Sequence, residues 1–428
     1  EPYYQIRSRQ GLGARAFNNW NKSNQITNYA SGQSVLDVGC GRGGDLEKFY
    51  RAGVTEYVGL DIDAAGLFVI KDSALSRIGR LKKRRDAPPM HLVQADARVP
   101  FTPEDQARAL PHMRDSNRDQ IQTYLSDRQY GVVNAQFTLH YYLSDDEAWD
   151  TFCANLRKVM APGGYLLISC FDGDLVHREL QAQNPATVQY VDPEGVSHKF
   201  FEIRKMYADD VQKGTGVAIE FFNSLISEEG VFHREYLVFP EFLIQSLWDK
   251  CGLRLVETST FYNMFHLYKD YFSGEDPGET KAFGRVASFY KSLEEGSDDY
   301  SSALAGYKLS MLNRYYVFQN SPQPCAAPSM SRLGKLLSTS PLDEYFREHN
   351  LHYDSTGGAP SSTPHYQTIR RRTGIRPDVY LLLHRAGHLT LTKIKEGDGR
   401  HSLIMYKSPE KTFYPVYHMN DGERRDIL

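Results

Sequence analysis

The sequence predicts an α/β fold, a mostly parallel sheet with helices on both faces, carrying a small C-terminal β-rich extension. Three observations carry this. Between residues 34 and 169, short apolar runs of strand length alternate with stretches of helical periodicity. A glycine-rich turn joins the first such run to the first helix. Beyond residue 320 the chain turns rich in Ser, Pro, Thr and Gly, and short alternating runs follow.

Taken in order, Ser34-Val35-Leu36-Asp37-Val38 reads as a buried strand and residues 39–44 as a turn. Asp45 then opens a helix that places Leu46, Phe49 and Tyr50 on one face and stops at Gly53. Residues 56–61 form the next strand, 64–83 a helix, 91–95 a third strand, 100–127 a polar insertion and 130–137 a fourth strand. Ser144-Asp145-Asp146-Glu147 fits a capping box with Ser144 as N-cap. The helix it starts ends at Pro162-Gly163-Gly164, before a fifth strand at 165–169. Residues 217–225 and 231–239 read as an antiparallel hairpin, followed by a helix at 240–250 and strands at 253–257 and 314–319, all of it more sheet appended to the same domain. Three domains follow: 1–319, with 1–33 as an N-terminal helical region, a linker at 320–365, and an extension at 366–428. Within the linker, 342–348 reads as a short helix. In the extension, runs at 379–384, 389–394 and 401–407 read as a small meander to which no chemistry can be assigned.

Charge narrows the function. Fifty Lys+Arg against 53 Asp+Glu give a net charge of −3, which excludes binding polyanions by global attraction and leaves only local patches. Five cysteines without a CxxC pair support neither a disulfide framework nor a thiolate zinc site, and no metal is expected. No apolar run reaches the ~20 residues of a membrane span, so a soluble, cytoplasmic protein is expected. The chain begins Glu1-Pro2-Tyr3 without Met, which suggests a segment of a longer polypeptide.

The turn Gly39-Cys40-Gly41-Arg42-Gly43-Gly44 lets backbone approach a ligand at a helix N-terminus. A dinucleotide site gives the same string, and so does a purely structural turn. The acids discriminate. Asp37 lies two residues before the first glycine, Asp61 ends the second strand where a ribose diol can donate to it, and Asp96 ends the third within reach of an adenine amino group. Carboxylates at successive strand ends would repel a pyrophosphate. They suit S-adenosylmethionine, which carries a cationic sulfonium and an ammonium.

Four blocks then resemble the mRNA cap guanine-N7 methyltransferases, most of all the methyltransferase domain of the multifunctional capping enzymes of large DNA viruses. They are Phe17-Asn18-Asn19-Trp20-Asn21-Lys22-Ser23, residues 35–46, Gln136-Phe137-Thr138-Leu139-His140-Tyr141-Tyr142, and Arg234-Glu235-Tyr236-Leu237-Val238. The resemblance covers about residues 1–320. It implies a Rossmann-like class I S-adenosylmethionine-dependent methyltransferase with a seven-stranded sheet, acting on the cap of mRNA. It also implies triphosphatase and guanylyltransferase modules upstream, a possible stimulatory protein subunit, and a virus-infected cell or virion as the setting. Lys22, Gly39, Asp45, Asp61, Asp96 and Gln136 would bind the cofactor, Lys22 through the methionine carboxylate, with Asp37 and Gly41 part of the same loop. Asn18, Phe137, His140, Tyr141, Glu235 and Tyr315 would form the pocket for the cap guanosine. Tyr315 is preferred over Tyr316 because Tyr-x-Val-Phe matches the family pattern. Asn21 departs from it, since the family carries a bulky aliphatic there, and the position should tolerate a polar group if it faces out.

Guanine N7 has a free lone pair and loses no proton on methylation, so no catalytic base is expected. Phosphates of the cap need cations. Arg42 on the glycine loop and Arg77 are the preferred ones, within a basic run that continues through Arg80, Lys82, Lys83, Arg84 and Arg85; Arg370, Arg371, Arg372 and Arg376 offer a second RNA contact. A small-molecule methyltransferase would not need Asn18, His140, Tyr141 and Glu235 together. A catalytically silent cofactor- or RNA-binding subunit would be free to lose the three strand-end acids.

Overall fold

The computed structural model describes residues 11–269, 272, 277–320, 389–396, 399–407 and 413–420. The chain falls into two units, Glu1–Tyr262 with Glu279–Leu337, and Asn263–Gly278 with Ser338–Leu428. The runs expected at 379–384, the linker helix at 342–348 and the arginines at 370–376 lie outside the described residues.

In the first unit, α1 (Leu12–Ala30) leads into β1 (Ser34–Val38), α2 (Leu46–Ala52) and β2 (Glu56–Asp61). The next helix is shorter than expected. Residues Ala65–Val69 make a single wide turn, Ile70 goes extended, and Ser73 restarts α3 (Ala74–Leu81) by accepting from the Ser76 N–H. That N-cap competes with a continuous helix and wins. β3 (Met90–Gln94) follows. The polar insertion holds two short helices, α4 (Pro103–Ala109), capped by Thr102, and α5 (Asp115–Ile121). β4 (Tyr130–Gln136), α6 (Asp146–Val159) and β5 (Met160–Phe171) complete the alternation. Asp145, not Ser144, caps α6, its carboxylate accepting from the Ala148 N–H, because a carboxylate opposes the helix dipole more strongly than a hydroxyl.

The main sheet has seven strands in the order β10-β11-β5-β4-β1-β2-β3, with β10 (Leu253–Thr260) and β11 (Asn313–Asn320) closing one edge. Only β11 runs against its neighbours. Strand order reverses between β1 and β4, the switch point where ligands bind beyond the carboxyl ends of parallel strands. Buried side chains of β1, β2, β4 and β5 pack with Trp149, Phe152 and Leu156 of α6 and with Leu243 and Leu247 of α8 (Pro240–Cys251).

The expected strands at 253–257 and 314–319 extend this sheet, whereas the expected hairpin belongs to a second one, β6-β7-β8-β9, all antiparallel, from Ala186–Val191, Ser197–Lys205, Ala218–Asn223 and His233–Tyr236. The first two of these strands were not legible in the sequence. Helix α7 (Gly173–Ala182) leads from the main sheet to this one. A Cβ on Gly173 would meet the Val238 carbonyl at 2.8 Å, so β5 ends directly against the chain leaving β9. Asp172 caps α7 and takes a buried ion pair from Arg314 of β11 at 2.7 Å.

In the second unit, Leu389–Glu396, Gly399–Lys407 and Phe413–Asn420 form an antiparallel three-stranded sheet. The runs expected at 389–394 and 401–407 lie in the first two of these strands; the third, Phe413–Asn420, was not expected, because Phe413-Tyr414-Pro415 hides its period behind a proline.

Candidate active site at the carboxyl edge of the sheet

The glycine loop leaves β1 in left-handed backbone at Gly39 (φ 70°), Gly41 (φ 52°) and Gly43 (φ 71°). At Gly39 space is also short, since a Cβ would sit 2.1 Å from Thr138 Oγ1. At Gly41 nothing lies within 4 Å, so conformation alone requires glycine and the backbone faces open space. Asp61 fixes the loop, its Oδ2 accepting from the Gly41 N–H at 2.7 Å and its Oδ1 from the Asp63 N–H at 2.9 Å. Burial raises its pKa, against those two hydrogen bonds. Each carboxylate oxygen has a further lone pair to offer a hydroxyl. Asp96 ends β3 and is held by Arg98, Nη2 to Oδ2 at 2.8 Å, so any ligand amine would share it.

Asp45 begins α2 and gathers both nearby lysines: Lys22 Nζ at 2.7 Å and Lys48 Nζ at 2.8 Å reach the same Oδ1. Burial pushes the Asp45 carboxyl up, but the two ammonium groups outweigh it and hold it below the usual range. Asp37 has the opposite fate. It is buried, and burial together with the Asp45 charge raises it to about 7, although Asn134 and Tyr57 both donate to it.

A polar chain that sequence reading missed runs under helix α1. Gln136 Nε2 donates to Gln25 Oε1 (3.1 Å) and Asn134 Oδ1 (3.1 Å), and Gln25 Nε2 donates to Ser169 Oγ (2.9 Å). The signal was present: Gln25 lies three residues after Lys22 and seven after Asn18, on one helix face, and Asn134 interrupts an apolar strand. Gln136 Oε1 is buried with no hydrogen-bond donor among the described residues. Open space over the loop, an unmet acceptor and three carboxylates fit a cofactor rich in donors and positive charge.

Beside the loop, Phe137 leaves β4 with φ 56°, rare for an aromatic residue, and its N–H donates to the Ser169 carbonyl at 2.7 Å. Its ring meets Phe261 edge-on at 6.3 Å, and Lys22 Nζ lies 5.8 Å from its centroid. The turn Leu139–Leu143 places His140 and Tyr141 against each other, centroids 4.1 Å apart. The second sheet delivers Glu235, buried, with Oε1 3.6 Å from His140 Nε2. Burial lowers His140 to about 3, leaving the ring neutral, and Nε2 has no hydrogen-bond partner among the described residues. On α1, the Oδ1 of Asn18 is likewise buried without one.

Some expected residues are engaged by other partners. Tyr315 lies on the α1 face of β11, but its hydroxyl donates to Glu257 Oε1 at 2.6 Å, and Tyr29 donates to Oε2 of the same carboxylate at 2.7 Å. Glu257 pairs in register with Val317, so that hydroxyl points down the sheet, away from Phe137. Asn21 does not face outward: it is 1% exposed, its Nδ2 donating to the Phe17 carbonyl at 3.1 Å. A bond to its own helix lets the amide be buried where an aliphatic was expected. Arg42 is half-buried on the loop. Arg77 is tied to Asp72 at 2.8 Å. The rest of the basic run does not reach the loop. A Cβ on Gly43 would lie 3.4 Å from Ala74 Cα, so α3 starts at the loop and runs away from it, and residues 82–85 follow its far end.

A doubly wound sheet with the β1/β4 switch point, a glycine turn at its carboxyl edge and acids on successive strands defines a class I S-adenosylmethionine-dependent methyltransferase. A family model described as the mRNA (guanine-N(7))-methyltransferase domain matches residues 7–275, and the chain belongs to that family. It is 43% identical to a probable mRNA-capping enzyme of Acanthamoeba polyphaga mimivirus over 98% of this chain and 38% of that protein. It is 27% identical to mRNA cap guanine-N(7) methyltransferase 1 of Oryza sativa subsp. japonica, over 62% of this chain and 68% of that one. An mRNA-capping enzyme of African swine fever virus is 25% identical over 63% of this chain and 28% of its own length. The chain thus spans well under half of the two viral relatives.

Proposed function

We propose that this chain methylates N7 of the guanosine cap of mRNA, with S-adenosylmethionine as methyl donor, by alignment rather than proton transfer. The observation that carries this reading is the meeting of His140, on the turn after β4 of the main sheet, and Glu235, on the second sheet, beside Phe137 and the glycine loop. When bound, the cofactor supplies an electrophilic methyl group. The loop backbone at Gly39 and Gly41, with Asp61, Asp96, Gln136 and the Lys22 and Asp45 pair, would hold and orient it, above Asp37. Phe137 and Tyr141 form stacking walls for guanine, with Asn18 and neutral His140 at its edge. Glu235 accepts from the N1–H and N2–H groups, which selects guanine and favours the positive charge that develops on the ring. Holding acceptor, methyl carbon and sulfur in line supplies roughly 7–11 kcal/mol of the barrier. Tyr315 acts as the floor of the pocket through its ring, and Arg42 takes the cap phosphates, Arg77 only once released from Asp72.

Residues 1–319 would carry this activity, 320–365 a linker and 366–428 an accessory module. In the longer protein, triphosphatase and guanylyltransferase modules would precede it, a stimulatory subunit would assist it, and the cytoplasm of an infected cell would be its setting. The test is incubation with GpppA-capped and ppp-ended RNA and labelled S-adenosylmethionine. Label on the capped RNA alone is expected; label on ppp-RNA, or on neither, rejects the reading.

A further inference from the structure

We infer that the exposed basic face formed by α2 and the far end of α3 is a track for the RNA chain beyond the cap, an inference that rests on the cap-methyltransferase reading above. Helix α3 begins against the glycine loop, Gly43 to Ala74. Its eight residues rise about 1.5 Å each, which carries its end about 12 Å from the loop. Arg77 and Arg80 lie one turn apart on α3, and Lys82, Lys83, Arg84 and Arg85 follow them in the turn after its last residue, so the cations form one stripe that continues past the far end of the helix.

The stripe is positive beyond what its acids neutralise. Arg77 and Arg80 share Asp72, and Arg51 and Arg84 share Glu47. Lys82, Lys83 and Arg85 are exposed as well, and the one exposed carboxylate between residues 71 and 86 is Asp86, 3.9 Å from Arg85. The Arg84 guanidinium lies over the Tyr50 ring at 5.3 Å, which holds that end of the stripe flat against α2. A helix dipole accounts for a cation or two in the last turn, not for three further exposed cations in the turn beyond it in a chain of net charge −3. Stacked nucleotides advance about 3.4 Å each, so 12 Å matches about four nucleotides past the loop. The partner is therefore single-stranded RNA running on from the cap, recognised by its phosphates without regard to sequence.

The test uses the triple variant Lys82→Ala, Lys83→Ala, Arg85→Ala, which leaves the cations paired with Asp72 and Glu47 in place. Kinetics on a GpppA dinucleotide should be unchanged. The apparent KM for a capped RNA of about 20 nucleotides should rise about tenfold, and the slope of log affinity against log salt should shrink by about 2. An unchanged KM for the long RNA, or the same rise on both substrates, overturns the track. If the parent chain methylates neither substrate, the methyltransferase reading fails instead. Filter binding of uncapped RNA then still decides the track: weaker binding by the variant supports it, and equal binding overturns it.

Discussion

The two halves of the proposed site, one for cofactor and one for substrate, are built in different ways. The cofactor half lies at the ends of consecutive parallel strands, so Gly39, Asp61 and Asp96 come from turns that the chain visits in order. The substrate half is assembled from Asn18 on α1, Phe137 to Tyr141 after β4, and Glu235 on a separate sheet. One is a local product of β-turn-α geometry; the other exists only if two sheets dock correctly. A change in docking should therefore disable substrate recognition while sparing cofactor binding.

The largest effect is expected at that docking point. Asp172 and Arg314, each 1% exposed, join the main sheet to the helix that leads to the second one. Arg314→Met leaves the Asp172 carboxylate buried and unpaired and should cost about 3–5 kcal/mol in chemical denaturation. A cost near zero would mean that the sheets are held together by their apolar contacts alone. Next comes Glu235→Ala, which should lower methyl transfer by about 10²–10³-fold and leave S-adenosylmethionine affinity intact in a calorimetric titration. Loss of both would erase the distinction between the halves. The smallest effect is a pH dependence within the cofactor half. Asp37 is raised from 3.8 to about 7. The folded protein thus holds a proton that the unfolded chain has released, and stability from this group falls as pH rises from about 4 to about 7, then levels off. Asp37→Asn should remove that slope; an unchanged slope would place its origin in another group.

The same contrast explains what could be read from the sequence. β1 and β2 coincide with their expected bounds because short apolar runs between a turn and a helix have few other solutions. The polar insertion concealed α4 and α5, whose buried sides rest on single residues such as Gln106, Asn117 and Ile121 rather than on a periodic stripe. In the second sheet, β6 is mostly half-exposed and shows no alternation, with only Tyr190 buried. The loop acids carry a spacing, so the sequence displays them. Glu257, satisfied by two tyrosines from distant segments, and Gln25, joined to Gln136 and Ser169, have partners that only the fold reveals. The burial of Asn21 was hidden for the same reason: it depends on a bond to its own helix, which no neighbour in sequence announces.

Phe137 sets two demands on a single position. Its backbone angle is one that a glycine adopts freely and an aromatic residue adopts at a cost of about 1–3 kcal/mol, while the proposed chemistry needs a ring there. Selection for a more rugged protein and selection for a faster one would pull this codon in opposite directions. A stabilised variant that relaxes this turn would surrender a wall of the proposed pocket.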